Sequence, residues 1–277
     1  MTAQMELRRF SHSLVDTYLD CPRKAMYRYV EAIPSPKSTA LVKGSATDDA
    51  WNTALARKIA GEVMPTDELV ELTETAFRRV VHDEGGLSSI DWGEDVSDRK
   101  AAARAALNSA MTLSRVWADQ LYPHIEPTAV QVELTRELPS GRQFIGFLDY
   151  EGVIEDQEGI GDNKTGGKRM ARGDAGKALQ PSAYAWLKDE PISFVFSRAI
   201  DTGSNQYSEF VWTGRSADDN AWYGELVNQV ERGFMEEIFP PNPKSNLCGA
   251  KWCPYFERCQ PHRTRHVVPP LTTEEKE

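Results

Sequence analysis

The chain reads as an α/β protein with a helical first half, and three observations predict this. Apolar spacing is helical from Ser11 to about Leu121, it switches to alternation at Val130, and from Phe144 onward strands and helices interleave. Ser11 or Ser13 can cap a first helix reaching about Val30, with Cys21-Pro22 breaking it, because proline has no N–H to continue the ladder. A second helix is expected from Ser45, with Asp48 three residues on in the manner of a capping box. Thr66-Asp67-Glu68 opens a third, to about Val81, and Ser97 opens a long alanine-rich one to about Leu121. His82 to Val96, rich in Gly and Asp, reads as a loop.

Val130, Val132 and Leu134 alternate with polar neighbours and predict a strand. Phe144–Ile154, Ile160–Lys164, Ile192–Ala199 and Tyr207–Trp212 predict four more. Helices are expected around Ala175–Lys188, with Pro181 inside it, and over Ser216–Ile238.

The 277 residues suffice for one large domain. With 40% hydrophobic and 27% charged residues the composition is that of a soluble protein. No apolar run approaches the ~20 residues needed to cross a bilayer. No apolar stretch follows Arg8 and Arg9 as a signal peptide would require, so a cytoplasmic location is expected. The net charge of -10 opposes long-range attraction to nucleic acid, but a local basic groove can still hold phosphate. Two stretches offer one: Lys164, Lys168, Arg169, Arg172 and Lys177 against Asp174 alone, and Lys251, Arg258, Arg263 and Arg265 near the C-terminus.

The chemistry concentrates in Gly146-Phe147-Leu148-Asp149 and Ile160-Gly161-Asp162-Asn163-Lys164-Thr165-Gly166. Side chains two apart on a strand share a face, so Asp162 and Lys164 point together. A hairpin closing at Glu155-Asp156, midway between Asp149 and Asp162, brings those carboxylates opposite each other. Facing carboxylates repel, and one takes up a proton unless a cation lies between them. Mg²⁺ or Mn²⁺ suits such oxygen donors, and a lysine beside the ion can hold water or phosphate charge. That combination serves metal-assisted phosphodiester hydrolysis.

Of the four cysteines, Cys248, Cys253 and Cys259 cluster and Cys21 stands apart. Four thiolates suit zinc or an iron–sulfur cluster alike. The five histidines show no ligand spacing, and Trp252 and Tyr255 read as packing around the cysteine site.

Four segments in order resemble the iron–sulfur branch of the RecB-like PD-(D/E)XK nucleases, which includes CRISPR-adaptation nucleases and many phage exonucleases. They are Ser11 to Lys24 with its Cys21-Pro22, Val42-Lys43-Gly44-Ser45-Ala46-Thr47-Asp48, the Asp149 and Asp162-Asn163-Lys164 pair followed by Gln180-x-x-x-Tyr184, and Cys248-x4-Cys253-Pro254-x4-Cys259. The resemblance implies a restriction-endonuclease-like core, a central mixed sheet flanked by helices. It implies one domain over residues 1–277, a helical insertion over 45–125, and a cysteine clasp over 245–265 joined to Cys21. By the same resemblance Asp149 and Asp162 bind Mg²⁺ or Mn²⁺, with the carbonyl of Asn163 and Asp48 as further ligands. Asp48 stands where the family has histidine, and is a harder donor. Lys164 orients the attacking water. Gln180 and Tyr184, with Lys168 and Arg169, contact DNA. Cys21, Cys248, Cys253 and Cys259 hold a 4Fe-4S cluster.

The expected activity is a metal-dependent DNA nuclease, a single-strand or end-directed exonuclease of recombination, repair or phage DNA metabolism. With no phosphate-loop signature in the chain, a helicase, recombinase or integrase would be a separate partner. A homo-oligomer is admitted and a membrane is not. The alternatives are a CRISPR-adaptation nuclease that processes spacers and a catalytically weak DNA-binding scaffold, which the Asp48 replacement would permit.

Overall fold

A computed structural model describes residues 9–93 and 96–259. The strand β1 (Arg9–Phe10) and residues 36–228 form one compact unit, and residues 13–35 with those from 229 on form a second.

The first unit is a six-stranded mixed sheet. β2 (Ile125–Glu137), β3 (Gln143–Ile154) and β4 (Gln157–Gly166) run antiparallel in sequence. β5 (Ile192–Asp201) joins β4 in parallel and β6 (Gln206–Arg215) joins β5 antiparallel. The short β1 pairs in parallel with the start of β3, a strand that sequence reading does not anticipate because two residues carry no period.

The helices α3 (Thr39–Ile59), α4 (Thr66–Asp83) and α5 (Arg99–Gln120) share one core with the sheet. Trp51, Leu55, Trp117, Tyr150 and Val195 are buried there. A second core gathers Leu148, Ile160, Tyr184, Phe194 and Phe196 with α6 (Arg172–Lys177) and α7 (Leu179–Lys188). Each face of the sheet is thereby covered, as parallel pairing requires.

Two expected helices are corrected. α3 begins at Thr39, capped by Ser38, whose hydroxyl accepts from Leu41 N at 3.4 Å, so Ser45 lies inside the helix and forms no capping box. Gly44 does not break α3. Burial of Val42, Ala46, Ala50 and Trp51 along the helix outweighs the ~1 kcal/mol propensity cost of one glycine. The helix around Pro181 is two helices, with the break at Ala178, so proline falls in the first turn of α7, where its missing N–H is harmless.

The second unit joins distant parts of the chain. α1 (His12–Asp20) ends at Cys21, and Pro22 opens the single turn α2 (Pro22–Ala25), followed by a wide π-type turn over Met26–Val30. Tyr18 packs on Phe234 and Phe239, ring centroids 5.1 and 6.2 Å away, and donates to Ile238 O at 2.8 Å. Gly233 leaves room for that hydroxyl, since a Cβ there would lie 2.1 Å from it. α8 (Ala217–Met235) precedes this segment, and the last described element is α9 (Phe256–Cys259). No described helix is long and apolar enough to cross a membrane.

Candidate metal and nucleic-acid site

The β3–β4 hairpin positions the site. Its two-residue turn is Glu155-Asp156, both in the left-handed region at φ 47° and 63°, as a tight hairpin with right-handed strand twist needs. Pairing runs from Ile154–Gln157 to Tyr150–Gly161. One rung further, the same register sets Asp149 opposite Asp162, where the strands part. Gly161 locks this register. A Cβ there would meet the Tyr150 ring at 1.9 Å, and the Tyr150 hydroxyl is in turn bonded to Ser197 on β5.

Across β3, Gln131 lies between the pairs Val130–Tyr150 and Val132–Leu148, facing Asp149. It takes φ 53°, a left-handed conformation that costs a side-chain-bearing residue on the order of 1 kcal/mol. At this kink β3 turns Leu148 to one core and Tyr150 to the other.

Asp149 Oδ2 accepts from Asn163 N at 2.7 Å. Asp162 is 1% exposed. Its Oδ1 accepts from Gln180 Nε2 at 2.6 Å, and that nitrogen also donates to the Tyr184 hydroxyl at 3.1 Å. The hydroxyl donates to Phe147 O at 2.7 Å, so Tyr184, 6% exposed, meets the site by holding Gln180. Asp162 Oδ2 is buried without a hydrogen bond. The Lys164 ammonium lies 2.6 Å away as its ion-pair partner.

Asp48 enters from α3. The rotation of that helix is set by Trp51, which stacks on Trp117 at 4.9 Å and donates to Ser114 Oγ at 3.0 Å. Asn52, one turn beyond Asp48, accepts from Asn163 Nδ2 at 3.4 Å and ties α3 to β4. The result is an open cleft of about 380 Å³ lined by Asp48, Asp149, Asp162, Asn163, Lys164 and Gln180.

The electrostatics follow from three carboxylates crowded into one cleft, with Asp162 at its buried floor. Burial and then Asp162 push Asp48 up to about 6, with Lys164 and Asn52 partly opposing. Burial, Asp162 and Asp48 hold Asp149 well above the carboxylate range. Burial alone would lower Lys164, but Asp162, Asp149 and Asp48 outweigh it and raise the ammonium above its usual value.

The donor set is hard oxygen, and buried carboxylates that raise one another's pKa fit a divalent cation chemically. Among the described residues no three His, Cys, Asp or Glu side chains converge, as they stand, on a point that could hold an ion. The Lys164 ammonium sits against Asp162 and would have to yield for an ion to bind there.

Lys168 and Arg169 are exposed on the segment after β4. Arg169 Nε donates to Glu209 Oε2 at 3.0 Å, so this basic stretch has a second acidic neighbour from β6 besides Asp174. In the other stretch Arg263 and Arg265 lie outside the described residues, as does the end of the 245–265 segment.

Cys21, Cys248, Cys253 and Cys259 all belong to the second unit. Asn242 N donates to Cys21 Sγ at 3.4 Å, and Asn242 Nδ2 to Asp20 O at 2.7 Å. Burial raises Cys253, and its neighbours Cys21 and Cys248 add to the shift against Lys24. Cys253 and Cys259 pack with Tyr27 and Tyr255. Tyr255 is packing, as expected, whereas Trp252 is 59% exposed under Lys251.

Asn52, bonded to Asn163, and two residues on neighbouring strands, Gln131 on β2 and Arg198 across from Lys164 on β5, are polar positions that sequence reading missed. The spacing from Asp48 to Asn52, one helical turn, could have flagged the first. The others depend on strand neighbours.

A mixed sheet with helices on both faces, and a carboxylate pair with a lysine where two strands part, define the restriction-endonuclease-like class. The model of the PD-(D/E)XK nuclease superfamily matches residues 9–260, and the chain belongs to that superfamily. Its fold is shared with a candidate exonuclease from Eubacterium rectale, at TM-score 0.54 and 15% identity, over 98% of this chain and 93% of that one. The structure of SSO0001 aligns over 89% of this chain and 94% of its own, with TM-score 0.32 and 12% identity. No curated protein matches the chain.

Proposed function

We propose that the chain is a metal-dependent DNA exonuclease acting on single strands or free ends. The observation that carries this reading is the placement of Asp149 opposite Asp162, with Lys164 beside them in an open cleft. PD-(D/E)XK nucleases typically use Mg²⁺ or Mn²⁺. Asp149, Asp162, Asp48 and the Asn163 carbonyl would hold that ion, which supplies Lewis acidity toward the phosphate and a lowered water pKa. The scissile phosphodiester lies along the cleft. Lys164, held cationic by its carboxylates, neutralises charge on the phosphate oxygens as the water oxygen bonds to phosphorus and the opposite P–O bond breaks. Gln180 fixes Asp162, and Tyr184 fixes Gln180. Lys168 and Arg169 stand ready for the strand.

The wider proposal is one nuclease domain with a helical insertion, in the iron–sulfur branch of the superfamily. Cys21, Cys248, Cys253 and Cys259 would hold a 4Fe-4S cluster, which supplies a covalent staple between the chain's ends. We place the protein in the cytoplasm, in recombination, repair or phage DNA metabolism, with any helicase or recombinase as a separate partner.

Titration with Mn²⁺, followed by calorimetry, tests the site. Wild type should bind and Asp149→Asn with Asp162→Asn should not, with cleavage of single-stranded DNA lost in parallel. Equal binding by both proteins would refute it.

A further inference from the structure

We propose that Arg198 forms, with Arg169, a seat for a DNA phosphate next to the reacting one, an inference that rests on the nuclease reading of the cleft. β4 and β5 run parallel in register with Lys164 beside Arg198, so the two side chains are neighbours on one face of the sheet. Gly166 makes room for the arginine: a Cβ there would stand 2.9 Å from Nη2.

The guanidinium is under-used. Its side chain is 11% exposed, yet among the described residues its one acceptor is Glu209 Oε1 at 3.5 Å, the limit of a hydrogen bond. Among the described residues nothing accepts from its buried Nε. A buried arginine normally has most of its five donors filled. Glu209 is the opposite case. It also takes Arg169 Nε at 3.0 Å and Met170 N at 3.2 Å, so two arginines share one carboxylate and the group stays net positive. A planar fork with free donors, beside a second cation, matches a phosphate's oxygens. Gly166-Gly167 leaves the adjacent backbone without side chains, and Lys168 is exposed beside it. The rival account is that Arg198 merely pins the segment after β4 through Glu209.

The test measures binding of a labelled single-stranded oligonucleotide by anisotropy, with Ca²⁺ in place of Mg²⁺, across a salt series. Inorganic phosphate is added as competitor in a second arm. Arg198→Met should weaken DNA binding about tenfold and reduce the salt slope by about one. Arg198→Lys should fall between, having charge but no fork. Glu209→Gln should tighten binding, because it removes the competing carboxylate. Phosphate should compete only at concentrations far above those of the oligonucleotide. The double variant Arg198→Met with Glu209→Gln removes the buried charge left behind, and should melt like wild type yet bind weakly.

Wild-type affinity in Arg198→Met or in the double variant would overturn the inference. So would a Glu209→Gln variant weakened as much as Arg198→Met, the outcome expected of pinning alone. If wild type itself bound no DNA, the nuclease reading would fail and this one with it. Normal binding and cutting by Arg198→Met would sink this inference alone.

Discussion

In the β3–β4 hairpin the carboxylates stand on long paired strands, and the register leaves Asp149 and Asp162 no other position. In the unit of residues 13–35 and 229 onward, the cysteines stand on turns and single helical turns, joined by isolated contacts such as Asn242 with Asp20. A continuous ladder can hold charges that repel, because slipping it would move every side chain to the wrong face. The cysteine unit packs Tyr27 and Tyr255 with Cys259, and Tyr18 with Phe234 and Phe239, on short elements rather than a ladder. The contrast teaches that regular structure stabilises the proposed chemistry, whereas in the cysteine unit the proposed cluster would stabilise the structure.

The largest expected effect tests the hairpin side. Asp162→Asn should lower the cleavage rate by about 10³-fold or more while the fold survives, read by circular dichroism and single-turnover kinetics. Cys253→Ser tests the other side. Iron content should fall, and the melting midpoint should drop by roughly 8 °C, as a loss of about 3 kcal/mol gives in a chain of this size. Cleavage per folded molecule should change little. Gly161→Ala should destabilise by about 2 kcal/mol through its clash with Tyr150, measured by urea unfolding.

The pH dependence separates the two regions further. Asp48 and Asp149 have folded pKa values above their unfolded ones, so the native state binds the extra protons. Without metal, stability should be highest below the ordinary aspartate value of 3.8 as far as these two groups are concerned. It should fall as pH rises through about 6, and further as Asp149 ionises. Mg²⁺ should close the gap, because it replaces the protons. Thermal melts at pH 5 and 7.5, with and without Mg²⁺, check this, and a metal-free melt insensitive to pH would contradict it. The smallest effect is Tyr184→Phe. Loss of the Phe147 and Gln180 contacts should cost about 1 kcal/mol, seen as a severalfold lower rate with little change in Kd for DNA.

Much of this was legible in the sequence, where period and punctuation carry the information. Alternation and the polar turn at Glu155-Asp156 place Asp149 opposite Asp162 by counting alone. Cys21-Pro22 ends α1 as proline chemistry demands. The start of α3 was not legible. Nothing local marks Ser38 over Ser45, and the helix starts early because Val42, ahead of Ser45, is buried in the same core as Ala46. Gln131 and Arg198 were hidden for a related reason. Their places are defined by the strand alongside, and a single sequence does not state which residues become neighbours across strands.

The most direct measurement compares wild type with Lys164→Ala on end-labelled single-stranded DNA, with Mn²⁺ or Mg²⁺, in anaerobically purified protein. The account predicts metal-dependent cleavage by wild type, stopped by a chelator and lost in Lys164→Ala while DNA binding persists. Wild type that binds DNA and never cuts it with either metal would contradict the account and leave a DNA-binding scaffold in its place.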